Sequence, residues 1–193
     1  MVTTSRKLSL AEYLEYDDGT DTRYKLVKGE LVPLVLPTGR YVAFCQRLER
    51  LLEQEIQGLG TDWLVGRGDG GVCLPRGVGL ATVRIPDLVV IPQDTWAQWQ
   101  EKVAVIDCDL PPPLLVIEVV SPSTRDTDYR TKRPEYAAWD IPEYWIVDPQ
   151  EETITVLINR DGWFDAQTDS GDRRLQTLTF ADAAWTPWPV LAV

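Results

Sequence analysis

Two short runs, LVVIP at 88–92 and LLVIEVV at 114–120, are almost unbroken Val, Ile and Leu. Strands without polar alternation have no face for water, so both must be covered on both sides, as at the centre of an α/β sheet. The second run carries Glu118 in its middle. Alternation sets Leu114, Val116, Glu118 and Val120 on one face and Leu115, Ile117 and Val119 on the other, so the carboxylate has apolar neighbours all round. A lone ionised carboxylate there costs several kcal/mol unless a partner, a hydrogen bond or a metal offsets it. Asp87 has a similar place, directly after Pro86 at the mouth of the first run. Either acid has an ordinary alternative: satisfaction by backbone amides, or pairing with Arg84, Lys132 or Arg133.

The segments around these strands have recognisable signals. SLAEYLEY opens with Ser9 and has Glu12 three residues later, a capping box for a short helix. RYKLVKGELVPLV reads as a hairpin around Lys28 and Gly29, with Glu30 just past the turn. From Tyr41 to Gln57, Phe44, Leu48, Leu51, Leu52 and Ile56 recur at helical spacing, and Gly58 is the expected stop. The glycine-rich WLVGRGDGGVCLPRGVG matches no phosphate-loop spacing and reads as strand, turn, strand. TWAQWQEK is a short helix or loop. TKRPEYAAWD is helical if Thr131 is the N-cap, which sets Pro134 in the first turn. EYWIVDP is a third core strand, TITVLINRDGWFDAQ a hairpin, and the Trp-rich C-terminal segment a cover for one sheet face.

Composition narrows the chemistry. The chain has 193 residues and no histidine, so acid–base or metal chemistry must rest on Asp, Glu, Lys or Tyr. Cys45, Cys73 and Cys108 are odd in number and widely spaced, which points to free thiols rather than a disulfide framework or zinc site. The net charge of −11 opposes avid non-specific binding to a polyanion unless cations are gathered locally. Arg125, Arg130, Lys132 and Arg133 form the most basic stretch. Tyr136, Trp139, Tyr144 and Trp145 read as core packing in preference to base-stacking. No run approaches the roughly 20 apolar residues of a membrane span. One domain over residues 1–193, without membrane contact and in the cytoplasm, is expected. Two carboxylates converging at the end of neighbouring core strands suit Mg²⁺.

RIPDLVVIP followed by LLVIEVVSPSTRDTDYRTKRPEYAAWDIPEYWIVDP resembles the bacterial family of putative restriction endonuclease domains, a branch of the PD-(D/E)XK nuclease superfamily. The YKLVKGELV hairpin and the helix from Tyr41 stand in family order before them. The resemblance implies a restriction-endonuclease-like α/β core: a mixed β-sheet flanked by helices, with an N-terminal hairpin and a C-terminal β-hairpin extension. It also implies hydrolysis of phosphodiester bonds in DNA with Mg²⁺, for which Mn²⁺ substitutes. Asp87 and Glu118 match the metal ligands, and the backbone carbonyl of Val119 the further ligand. Where the superfamily has a lysine two residues after the glutamate, this chain has Val120; the family places the lysine on the next helix, here Lys132. Glu30 matches the hairpin's G-E and is a further acidic candidate. Tyr41 stands where the family often has histidine. Superfamily members that cut both strands often act as homodimers. The other reading is a catalytically silent domain of the same fold, serving as a binding or assembly module with Glu118 permanently paired with Lys132.

Overall fold

The computed structural model describes residues 6–68, 70–74, 80–98, 103–107 and 109–192. Helix α1 (Leu10–Leu14) opens on the expected capping box: Ser9 Oγ accepts the Glu12 amide at 3.2 Å, and the Glu12 carboxylate accepts the Ser9 amide at 2.8 Å. Strands β1 (Tyr24–Val27) and β2 (Glu30–Pro33) form the hairpin. Lys28 and Gly29 take φ of 50° and 80°, the left-handed pair that a two-residue turn requires. Helix α2 (Gly39–Leu59) buries Phe44, Cys45, Leu48, Leu52 and Ile56. It runs past Gly58; Gly60, at φ 65°, supplies the left-handed cap instead.

The glycine-rich segment is strand, turn, strand, but its two strands do not pair with each other. β3 (Trp63–Gly66) lies antiparallel to β6 (Leu88–Pro92), whereas β4 (Gly71–Leu74) lies antiparallel to β5 (Thr82–Arg84). Residues 75–79 lie outside the described residues. A Cβ on Gly71 would stand 2.7 Å from Val83 Cγ1 and 2.9 Å from Val105 Cγ2, so this close approach of strands depends on glycine. The remaining elements are α3 (Gln93–Ala97), β7 (Val105–Ile106), β8 (Leu115–Val119), α4 (Lys132–Ala137), β9 (Glu143–Asp148), β10 (Thr153–Arg160), β11 (Trp163–Ser170) and α5 (Pro187–Leu191). β7 is too short for its alternation to show in the sequence.

Among the described residues the strands form two mixed sheets, ordered β11-β10-β9-β8-β6-β3 and β2-β1-β5-β4-β7. The N-terminal hairpin is therefore part of a second sheet and not a simple appendage. The chain passes from one sheet to the other between Arg84 and Leu88, where Pro86 cannot donate to a ladder. β8 lies inside the larger sheet, antiparallel to β6 and parallel to β9, and all five of its residues are buried. One face packs against α2 and the C-terminal segment through Leu48, Leu52, Phe180 and Trp185; the other packs against Tyr136, Trp139 and Tyr144. These aromatics and Trp145 are core residues, as their positions predict.

The segment before α4 departs from expectation. Thr131 has helical φ and ψ of −80° and −46° and makes no side-chain cap. It ends a π-helical turn, Thr127–Thr131, across which the Lys132 amide donates to the Thr127 carbonyl. Proline crowds the carbonyl four residues before it, and the widened turn accommodates Pro134 without ending the helical path.

Cys45 and Cys73 are buried and form no disulfide among the described residues, and Cys108 lies outside them. Among the described residues no helix is long and apolar enough to cross a membrane. Glu143, fully buried on β9, ties the C-terminal segment down: its carboxylate accepts Trp145 Nε1 at 2.7 Å and the Thr179 and Leu178 amides at 2.7 and 3.2 Å. Glu143→Ala leaves these donors without an acceptor and is expected to cost about 3 kcal/mol in urea unfolding, with early proteolysis beyond residue 170. An unchanged unfolding midpoint would show that the anchor is not needed.

Candidate active site

Leu88 lies opposite Ile117 on the antiparallel strands β6 and β8, so one step further along the same register sets Asp87 opposite Glu118. Directly opposed residues share a sheet face with their Cβ atoms roughly 5 Å apart. The Val119 amide donates to Asp87 Oδ2 at 2.5 Å, and the Tyr41 hydroxyl, from the first turn of α2, donates to Oδ1. Asp87 is thereby fixed in orientation while remaining only half-buried at the sheet's end.

Glu118 is 2% exposed. Its Oε1 accepts from the Tyr136 hydroxyl at 2.7 Å and lies 2.8 Å from Lys132 Nζ. The same ammonium lies 2.7 Å from Asp128 Oδ1. Asp128, Lys132 and Tyr136, four residues apart, thus present one face of the helical segment to the carboxylate. Tyr144 completes the support: its hydroxyl donates to the Asp128 carbonyl at 3.0 Å, and its ring meets Tyr136 edge-on with centroids 5.0 Å apart.

Two other buried acids, Glu143 and Asp148, behave differently. Glu143 takes backbone amides, and Asp148 accepts the Gln150 and Glu151 amides at 3.1 and 3.2 Å beside Arg125. Arg84, a sequence candidate for pairing with Asp87 or Glu118, forms a two-point bond to Glu135 at 2.8 and 2.9 Å. Glu118 relies on side chains alone, a lysine and a tyrosine.

This arrangement shifts several of the titratable groups around Glu118. Burial pushes the Glu118 carboxyl up to about 7; Lys132 opposes the shift, and Asp87 and Asp128 add to it. Burial also raises Asp87 above the usual carboxylate range, with Lys132 pulling it back. For Lys132, burial lowers the pKa, but Glu118 and Asp128 prevail and hold the ammonium above its ordinary value. Burial and then Asp87 keep the Tyr41 hydroxyl protonated and push the neighbouring Cys45 thiol up to about 12. Tyr41 is therefore a hydrogen-bond donor here, not a base.

The structure brings together Asp87, Glu118 and Lys132 and sets the Val119 backbone beside them. It does not bring Glu30 to the pair: that side chain is exposed near the hairpin turn, 3.8 Å from Lys7. Asp128 is the residue that sequence reasoning missed; its signal was the four-residue spacing to Lys132. Tyr136 was read as core alone, and its hydroxyl's role follows only from the packing.

Among the described residues no three acidic or thiol side chains make a ready cation cage. Two opposed carboxylates, Asp87 half-buried and Glu118 buried behind it, nevertheless are the hard oxygen donors that Mg²⁺ takes together with water. The Lys132 ammonium contacts Glu118 and Asp128, and Asp87 stands opposite Glu118, so three carboxyls surround one cation; when all three are ionised, a bound cation would offset the excess charge. The donor set fits such an ion.

Residues 10–189 match the family Uma2, described as a putative restriction endonuclease. Among solved structures, the chain is similar to a putative nuclease belonging to DUF820 from Anabaena variabilis, with a TM-score of 0.74 and 15% identity over 96% of this chain and 98% of that one. That likeness establishes a shared fold. No curated protein matches the chain.

The Glu118 shift sets a pH dependence. A carboxyl raised from 4.5 to about 7 by folding contributes stability that is complete below pH about 4.5 and lost as the pH rises to about 7. In metal-free buffer the unfolding free energy is expected to fall across that window, on the order of a few kcal/mol at most, and Glu118→Gln to flatten the fall. A parallel slope in the variant would assign it to other groups.

Proposed function

Because the chain belongs to the Uma2 family of putative restriction endonucleases, we propose that it is a Mg²⁺-dependent endonuclease acting on DNA, with Asp87 and Glu118 as metal ligands and Lys132 as the catalytic cation. The observation that carries this reading is the opposition of Asp87 and Glu118 across two strands with the Lys132 ammonium 2.8 Å from Glu118. The Val119 carbonyl is the further oxygen ligand. A divalent ion bound there supplies an activated water and offsets charge on the scissile phosphate. The protein's own groups do the rest. The Tyr41 hydroxyl and the Val119 amide hold the Asp87 carboxylate in one orientation. Tyr136 and Lys132 hold Glu118 at Oε1, which leaves Oε2 for other contacts. Lys132, kept protonated by Glu118 and Asp128, places a fixed positive charge where the phosphate becomes more negative.

A second reading has its own observation. Lys132 already contacts two carboxylates, and a buried ion-pair cluster of this kind serves a silent binding module equally well. The two readings part on metal binding.

Plasmid nicking with Mg²⁺ and with Mn²⁺, beside calorimetric titration of the same ions, tests the choice. The enzyme reading expects chelator-sensitive nicking, lost by at least about 10²-fold in Asp87→Ala and in Glu118→Ala with the fold retained. Metal uptake should fall in the same variants. Nicking that survives in both variants would sink the assignment, and absence of both nicking and metal binding would favour the module. Lys132→Met should abolish turnover while tightening metal binding, since it removes the competing cation.

A further inference from the structure

The second sheet brings one more cation to this flank. Leu26 on β1 lies opposite Val83 on β5, so the next step of that antiparallel register sets Lys25 opposite Arg84. Leu26 and Val83 point into a small core with Leu10, Cys73 and Ala81. Alternation sends Lys25 and Arg84 to the other face. On that face Arg84 holds Glu135, which lies three residues after Lys132 on α4. Lys25 therefore faces the flank of the sheet from which Lys132 reaches Glu118.

Arg84 and Lys132 are both committed to carboxylates, and Arg125 to Asp148 and Glu151. Lys25 is different. Among the described residues its side chain has neither a hydrogen bond nor an ion pair, yet it is half-buried. Burial lowers its pKa, Lys132 and Arg84 lower it further, and Glu118 and Asp128 act in the opposite direction, which sets it within the electrostatic field of the site. A partly dehydrated ammonium without a counterion lacks compensation within the fold. A chain of net charge −11 also needs a local, uncommitted cation if a polyanion is to approach.

We propose that Lys25 is a substrate-binding residue that contacts a phosphate of the nucleic-acid strand lying over Asp87 and Glu118. This rests on the nuclease reading and extends it to the second sheet: the hairpin contributes Lys25 to the site, in place of Glu30. The ligand it takes is a phosphodiester oxygen. Lysine acts there as a point charge, so it adds affinity without reading sequence.

The test is fluorescence polarisation with a fluorescein-labelled 20-base-pair duplex and its single strand, in Ca²⁺ buffer, from about 50 to 200 mM KCl. Wild type, Lys25→Ala and Lys25→Arg are compared, with Mn²⁺ affinity of each measured by calorimetry. Lys25→Ala is expected to weaken binding about 3- to 10-fold at low salt and to reduce the slope of log affinity against log salt by about one. Lys25→Arg should restore both. A structural counter-charge would instead leave the salt slope unchanged and tighten Mn²⁺ binding. Wild-type affinity and slope in Lys25→Ala, while the wild type binds DNA, overturn this proposal alone. A wild type that binds neither probe overturns the nuclease reading, and this proposal with it.

Discussion

The contact between Lys132 and Glu118, 2.8 Å long and almost fully buried, is the interaction on which the arrangement of the centre depends. Without it, Glu118 is an ionised carboxylate inside an apolar strand and Lys132 an ammonium buried against Asp128; removing one partner of such a pair typically costs 3–5 kcal/mol, roughly, because the other is left uncompensated. The pair also joins elements that are otherwise separate. Glu118 belongs to the sheet's interior, Lys132 to a helix on one face, and Tyr136 is held by that helix's own core packing. Position of the ammonium is thus set by the same contacts that cover the sheet.

Two irregularities make this possible. The π-helical turn at Thr127–Thr131 accommodates Pro134 and keeps Asp128, Lys132 and Tyr136 directed to one point. The break at Ile85, Pro86 and Asp87 passes the chain between sheets, so Asp87 starts the run into β6 with one edge open to solvent. A regular ladder would have used the backbone there. In its place the Val119 amide bonds the Asp87 side chain and aligns the two carboxylates.

The charge balance is local in character. The chain is strongly acidic, yet the carboxylates inside the fold are compensated in different ways. Glu143 and Asp148 are stabilised by backbone amides and act as fasteners for loops and the C-terminal segment. Glu118 and Asp128 instead share the Lys132 ammonium, and half-buried Asp87 stands opposite Glu118, held by the Val119 amide and the Tyr41 hydroxyl. Burial alone does not distinguish these environments; the donors around each carboxylate do.

Much of this was legible in the residues themselves. The unbroken apolar runs required a doubly covered sheet, the spacing from Tyr41 to Gln57 required an amphipathic helix, and Glu118 within such a run required a compensating partner. These follow from local periodicity and from the cost of burying charge, which a linear sequence displays. Only the tertiary structure decided that β3 and β4 part into different sheets, that Arg84 goes to Glu135, and that the hairpin turns Lys25 and not Glu30 towards the centre. Those outcomes rest on which strands lie side by side and in what register. Pairing across tens of residues is a property of the folded chain, not of any window of sequence.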